Sequence, residues 1–433
     1  MELSLANNNA KTSTKKWRLT GVRKQLVNLI VDLVILFSFT TTIQSLIDSI
    51  SLNKIVGISI VLFSVILFIF SHHKKAIINL IVLVVIAFLS FAVSRSISHD
   101  FNDYVFLFTT FFMIINISNK KNQRFFRKAL FRKKDIIKLF AIVECAILAF
   151  LLLTKRGYTD SSWGEESFFK GFCNSQHTMA SLCCFIGSFI ILETRAIKKF
   201  NIINAILLMI LTYATFEAGA RVFLFPILII LLLFINYSFK RLRTKIILCC
   251  LGLALFVVVL LSSNMMNKFA FVLNNIYATD ALSSFTNGRS EFWAVDFNLF
   301  LSNSLFRKFF GSSFSNVYLT NLEQVDLEIW AHNDIIHLLV GTGLIGTFIY
   351  VSTLISCFVN TRHLCMSKFI VFLLVLYVVL PLLLNGFFAY LHFVYSFVVL
   401  YFACSKSSNF NFYKSVKFKR FYEEIIIPIC SRL

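Results

Sequence analysis

The chain has 433 residues, of which 58% are hydrophobic, 16% aromatic and only 15% charged; phenylalanine alone occurs 52 times. Soluble chains run to about 25% charged residues, so there is too little polar material here to coat a water-soluble fold, and a string of soluble domains is excluded. The formal net charge of +21 would point to nucleic acid in a soluble protein; in this one its placement decides its meaning.

A spanning helix needs about 20 consecutive, mostly apolar residues. Such runs fall at 26–47, 55–71, 76–94, 104–118, 136–154, 172–193, 201–219, 222–239, 246–263, 332–357, 369–384 and 386–404. The pattern predicts an all-α fold: a polytopic integral membrane protein with about 12 transmembrane helices. The first run follows a polar, basic stretch, is long enough to span, and has no small-residue cleavage site after it, so it reads as a retained helix and not a signal peptide. Pro226 and Pro381 are expected near helix ends.

Lys and Arg set the orientation. With the N-terminus inside, 32 of the 42 basic residues fall on the cytoplasmic side and 10 outside, which predicts cytoplasmic N and C termini. The organisation is then a cytoplasmic N-terminal basic segment (1–25), nine transmembrane helices (26–263), a large extracytoplasmic loop (264–331), three more helices (332–404) and a cytoplasmic basic tail (405–433). The basic and aromatic segment 120–134 reads as a cytoplasmic amphipathic helix resting on anionic headgroups, and no nucleic-acid partner is expected. Cys145, Cys183, Cys184, Cys249, Cys250 and Cys404 lie in apolar runs without metal or CxxC spacing, so no disulfide framework is read.

The first notable outer loop, 155–171, carries Trp163 and the acids Asp160, Glu165 and Glu166. At the end of this loop, in FCNSQHTMASL, Asn174 and His177 stand where the sixth helix enters, placed to hydrogen-bond a sugar. Next, EAGARVFLF brings Arg221 to the outer end of the seventh helix. An arginine there is costly unless it is paired or lines a wet cavity, and Glu217, four residues earlier, is a partner if the helix continues. In the large loop, Asn287–Gly288 marks a turn before Arg289, and 290–303 has helical spacing of Phe292, Val295, Leu299 and Phe300. That segment lies flat either on the membrane surface or on the bundle. An arginine beside a helix N-terminus suits an anion such as phosphate. The loop ends in AHNDIIHLLVGTGLIG, where His332 sits at the membrane–water junction and can accept a proton. Asn333 or Asp334 is a cap for the following helix, His337 lies a turn deeper, and Gly341, Gly343 and Gly346 permit close packing. No nucleotide-phosphate loop, HExxH, GxSxG or cysteine-rich metal pattern appears, so neither cofactor nor metal is expected.

In this order, the elements FCNSQHTMASL, AGARVFLF, GRSEFW and AHNDIIHLLVGTGLIG resemble the O-antigen ligase/polymerase superfamily of bacterial envelope glycan assembly. The resemblance covers roughly residues 170–360. Ala220 stands where a serine often precedes the arginine, and the lead into His177 is offset from the commonest pattern. The resemblance implies a metal-independent, inverting membrane glycosyltransferase in the bacterial cytoplasmic membrane. It would polymerise undecaprenyl-diphosphate-linked oligosaccharide repeat units into O-antigen, capsule or exopolysaccharide. Arg221 and Arg289 would clamp the departing diphosphate, with His332 as base and Glu217 behind it. His177, Asn174, Asn333 and His337 would add contacts to the substrate. Partners would be the lipid-linked oligosaccharide, membrane lipid, a flippase and a chain-length regulator. The alternative within the superfamily is an O-antigen ligase that transfers the glycan to lipid A–core. The alternative from another class is a lipid-linked oligosaccharide flippase or secondary transporter. Transporters usually show repeated halves and broken helices, and neither is evident in the sequence. The acid-centred loop of the shape-and-division glycan polymerases is not evident either.

Overall fold

The computed structural model describes residues 2–44, 52–71, 74–160, 167–261, 289–364 and 366–405. Trp163, Glu165, Glu166, the Asn287–Gly288 turn and the basic tail lie outside the described residues. Ten helices precede the large loop: α1 (Glu2–Gln44), α2 (Leu52–Ser71), α3 (Lys74–Ala92), α4 (Ile97–Ser118), α5 (Lys120–Arg132), α6 (Lys134–Leu153), α7 (Gln176–Ile197), α8 (Ile202–Glu217), α9 (Leu224–Ser238) and α10 (Leu242–Leu261). The loop itself contains α11 (Arg289–Ser302), α12 (Leu305–Phe310) and α13 (Ser315–Val325). After it come α14 (Asp334–Val359), α15 (Lys368–Leu384) and α16 (Leu391–Ala403). Between α6 and α7 a short antiparallel hairpin pairs β1 (Tyr158–Asp160) with β2 (Ser167–Phe169).

Among the described residues, eight helices are long and apolar enough to cross a membrane, and four shorter apolar helices accompany them: Ala76–Ala92, Ile202–Glu217, Lys368–Leu384 and Leu391–Ala403. The protein is a multi-pass, all-α membrane protein. Lipid offers no hydrogen bonds, so a spanning backbone must satisfy its own polar groups, as these helices do. Short polar side chains close several helix starts: the Thr178 amide donates to Ser175 Oγ at 3.1 Å, and the Ile203 amide to Asn201 Oδ1 at 3.0 Å. Large apolar side chains such as Phe88 and Leu251 point outwards, and α10 has no buried residue at all. In water such a surface would aggregate; in a bilayer it is the lipid-facing belt.

At the centre, α7 packs along α16. Every residue from Met179 to Thr194 and from His392 to Ala403 is buried, the pattern of helices enclosed on all sides. Phe126 of α5 stacks on Phe402 at 5.6 Å, and Tyr377 of α15 on Phe393 at 4.7 Å.

The N-terminal basic segment is helical, and α1 runs unbroken from Glu2 into the span Leu19–Ile43. The fold differs from the sequence reading in two places. Segment 120–134 does form an amphipathic helix, but protein covers its buried face. Asn122 donates to Ser71 Oγ at 2.9 Å and Gln123 to the Tyr401 hydroxyl at 3.2 Å, while Lys120, Lys121, Arg124 and Lys128 remain exposed. Finally, the described part of the large loop, 289–331, holds three helices where one was read. The first, α11, packs on α13 and α14 with Phe292 and Phe300 buried, so it lies on the bundle.

The other two loop helices reach α14 at a break. Gly343 is non-helical (φ +67°, ψ −173°), and any Cβ there would strike the Phe309 carbonyl. The carbonyl of Val340 accepts instead from the Ser312 amide at 2.8 Å, and Phe314 occupies the space a side chain on Gly341 would need. The glycines thus do allow close approach, but to the loop helices as well as between spans.

Candidate functional site

Five stretches of chain meet at one end of the bundle: the start of α7, the turn after α8, the start of α11, the entrance to α14, and the link between α15 and α16. The ring of His177 lies 6.4 Å from that of His332, 6.3 Å from that of Tyr390 and 6.5 Å from that of Phe223, and Trp330 packs at 4.8 Å from His332. These aromatic rings wall the region into which the cations are placed.

Arg221 begins a 3-10 turn, Arg221–Phe223, beyond the end of α8. The helix stops at Glu217 because Gly219 takes a positive φ of +64°, which breaks the helical spacing expected to pair Glu217 with Arg221. Glu217 accepts from the Tyr158 hydroxyl of the hairpin at 2.8 Å. Arg289 opens α11, and one guanidinium nitrogen donates to the carbonyl of Leu384 at the end of α15. A cation is well placed against a helix C-terminus, where carbonyls lack partners. Burial and the Arg221 charge push the Arg289 guanidinium down to about 10, so it stays cationic at neutral pH. Two like charges close enough to act on each other are a ready seat for an anion.

His332 adopts φ +50°, unusual for a residue with a side chain and a sign of a fixed loop. Its Nδ1 lies 2.9 Å from Asn385 Oδ1. With that oxygen as acceptor, Nδ1 carries the proton and Nε2 keeps its lone pair. Burial, then the charge of Arg289, push the imidazolium down to about 3, so the ring is neutral at physiological pH. The loop that supplies Asn385 is itself pinned. Asp334 Oδ2 accepts from the amides of Phe387 at 2.9 Å and Phe388 at 3.2 Å and from the Tyr350 hydroxyl at 3.0 Å. Gly386, at φ +155°, lies against the Trp330 ring, where a Cβ has no room.

Two residues expected to contact the substrate, Asn333 and His337, are bonded within the protein. Asn333 is the cap of α14: its oxygen accepts from Ile335 and Ile336 at 2.9 and 3.2 Å, and its nitrogen donates to the Leu383 carbonyl at 2.9 Å. His337 is fully buried, with Nε2 3.0 Å from Asp103 Oδ2 and Phe314 stacked on its ring at 4.8 Å. Its ring lies 5.7 Å from that of Trp330, so it borders the aromatic cluster from inside the bundle. Asn174 is exposed, one residue before the Ser175 cap, and His177 sits with the ring cluster. Sequence reasoning missed Asn385, Tyr390, Trp330 and Asp103. Asn385–Gly386 is a turn dipeptide at the end of an apolar run, and Trp330 lies two residues before His332; either could have been a signal.

The arrangement offers two cations, one neutral imidazole with a free nitrogen, and aromatic walls. That set suits a ligand with an anionic group beside a hydroxyl-rich or ring-shaped one. No protein-family profile matches the chain, and no curated protein or solved structure is significantly similar to it.

Proposed function

We propose that the protein is a membrane glycosyltransferase that polymerises undecaprenyl-diphosphate-linked oligosaccharide repeat units into a surface polysaccharide at the outer face of the bacterial cytoplasmic membrane. The observation that carries this reading is the convergence, at one end of the bundle, of the elements that bear Arg221, Arg289 and His332: Arg289 is anchored on the Leu384 carbonyl, His332 on Asn385, and Tyr390 packs on Phe223 of the Arg221 turn. A glycosyl diphosphate gathers negative charge on its leaving group as the sugar departs. Two guanidinium groups neutralise that charge best where water is scarce.

In the proposed step, an acceptor hydroxyl oxygen bonds to the anomeric carbon and the bond to the diphosphate oxygen breaks. The electron pair leaves with the diphosphate, held by Arg221 and Arg289. The hydroxyl proton passes to His332 Nε2. Burial and then the Arg289 charge make His332 a poor proton acceptor at rest; a diphosphate between the arginines offsets the second of these, so donor binding favours the base. Direct displacement inverts the anomeric centre. Glu217, Asn174 and His177 lie on the elements that frame the site and complete the sugar contacts.

On this reading the eight long and four shorter helices are twelve crossings, with both ends cytoplasmic and α11 to α13 outside. The convergence supports it: the joined helix ends are those that alternate crossing would bring to one face. A ligase would differ only in its acceptor. The twelve helices and the break at Gly343 also suit a transporter, but Gly311 and Ser312 fill that break, which favours an enzyme. The test is purified protein in lipid nanodiscs given a defined lipid-linked repeat unit, with products resolved on a gel. A ladder of repeat lengths supports the polymerase, and a unit that stays unchanged with every acceptor, lipid A–core included, rejects the reading.

A further inference from the structure

The helices α14 and α15 are neighbours tied at both ends yet very unequal in length. At one end Asn333 donates to the Leu383 carbonyl at 2.9 Å; at the other, only the 3-10 turn Asn360–Leu364 and a short link separate them. With 26 and 17 residues, at about 1.5 Å of rise each they would measure about 39 and 25 Å if straight. The longer one is interrupted by the non-helical backbone at Gly343. The gap left between them is a groove of about 710 Å³, walled by Leu354, Ile355, Phe358, Val375, Val379 and Leu382. Ile355 and Val359 are more than half exposed along it, so it opens towards the lipid.

The groove's far end reaches Ile335 and Leu383, which border the site already described. Leu383 is bonded to Asn333, next to His332, and the adjacent Leu384 holds Arg289. We infer that this groove seats the polyisoprenyl tail of the donor, with the chain running from the two-arginine site down between α14 and α15. The inference rests on the glycosyl-diphosphate reading above. An apolar channel that begins beside an anion seat fits an amphiphile with a diphosphate head and a long hydrocarbon tail. Burial of that tail would supply binding energy remote from the reacting bond. Arg362 and Lys368 close the opposite end and set the limit the tail reaches.

The experiment uses the full chain in nanodiscs with a long-chain polyprenyl diphosphate bearing a benzophenone near the tail end. Crosslinks on the wild-type protein, mapped by mass spectrometry, are expected within 351–359 and 371–379. The variant Leu354→Trp/Val375→Trp, which fills the groove, should lose at least about tenfold in labelling. It should still turn over a glycosyl diphosphate on a short prenyl chain as the wild type does. Equal labelling and turnover of the long-chain donor in wild type and variant would overturn the groove while leaving the glycosyl-transfer reading intact. Failure of the wild-type protein to bind any prenyl diphosphate would overturn both. Crosslinks elsewhere on the protein, or a phospholipid retained in the groove that the probe cannot displace, would also overturn the assignment. Because the mapping is done on wild-type protein, poor folding of the variant does not leave the question open.

Discussion

Arg289 combines a fixed anchor on the Leu384 carbonyl with a like-charged neighbour in Arg221, a combination that favours a bound anion over an empty site. Arg289→Ala is expected to lower polymer formation by about 100-fold or more, the cost of one charge-stabilising donor, with the protein still inserting normally. Arg289→Lys should also be impaired, because an ammonium cannot both reach the carbonyl and grip a diphosphate through a planar fork. Gel profiles of wild-type chain length from both variants would remove Arg289 from the site. His332 makes a second prediction. Its resting pKa of about 3 lies below the ordinary histidine value of 6.5, so the neutral ring persists as pH falls through the usual range. The acid limb of kcat/KM, which reports the free enzyme, should therefore be missing near 6.5 and activity retained at pH 5. A half-point near 6.5 would show that the ring is hydrated and not buried beside Arg289. Arg221, Arg289, His177 and His332 were legible because basic and imidazole groups are scarce on the predicted outer side and each demands a reason. Asn385 and Asp103 were not: each is a small polar residue next to an apolar run, and only the fold reveals that it faces a histidine.

At the level of elements, the break in α14 carries the loop helices. Gly343→Ala forces a side chain into a left-handed backbone and against the Phe309 carbonyl, with a cost of about 1–3 kcal/mol for the backbone alone. The melting temperature in detergent should fall by several degrees, and an unchanged value would mean that α12 does not dock at Gly343. Hydrophobic runs revealed every long apolar helix, since 20 apolar residues have few other fates. The helices α12 and α13 escaped because they have 6 and 11 residues and no run long enough to register. For α5 the periodicity was plain, yet a sequence pattern says which face is apolar and not what covers it. The protein supplied Ser71, Tyr401 and Phe402 where lipid was expected. Likewise the spacing of Glu217 and Arg221 suits one helix face, and one glycine, Gly219, ends the helix between them.

For the whole molecule, the orientation is the property most open to direct measurement. In a background without the ten native cysteines, Asn298→Cys on the exposed face of α11 should react with a membrane-impermeant maleimide in intact cells. Arg124→Cys on α5 should react only after permeabilisation. The reverse pattern would put the paired arginines on the cytosolic side, out of reach of any exported glycan donor. The overall class was legible from composition; the distribution of lysine and arginine gives the side-to-side arrangement as the expectation that this labelling tests. The lateral packing was not, because helix neighbours in lipid are chosen by side-chain fit and not by hydrophobicity.

That packing has a consequence for how the protein is made. The central partner of α7 is α16, the last helix described, and roughly two hundred residues of synthesis separate the two. A nascent chain leaving the ribosome must thread most of its crossings through the translocation channel before the middle of the bundle can exist. Until Leu391–Ala403 arrives, the earlier helices wait in lipid with their inner faces uncovered, correctly inserted but not yet a protein with a site.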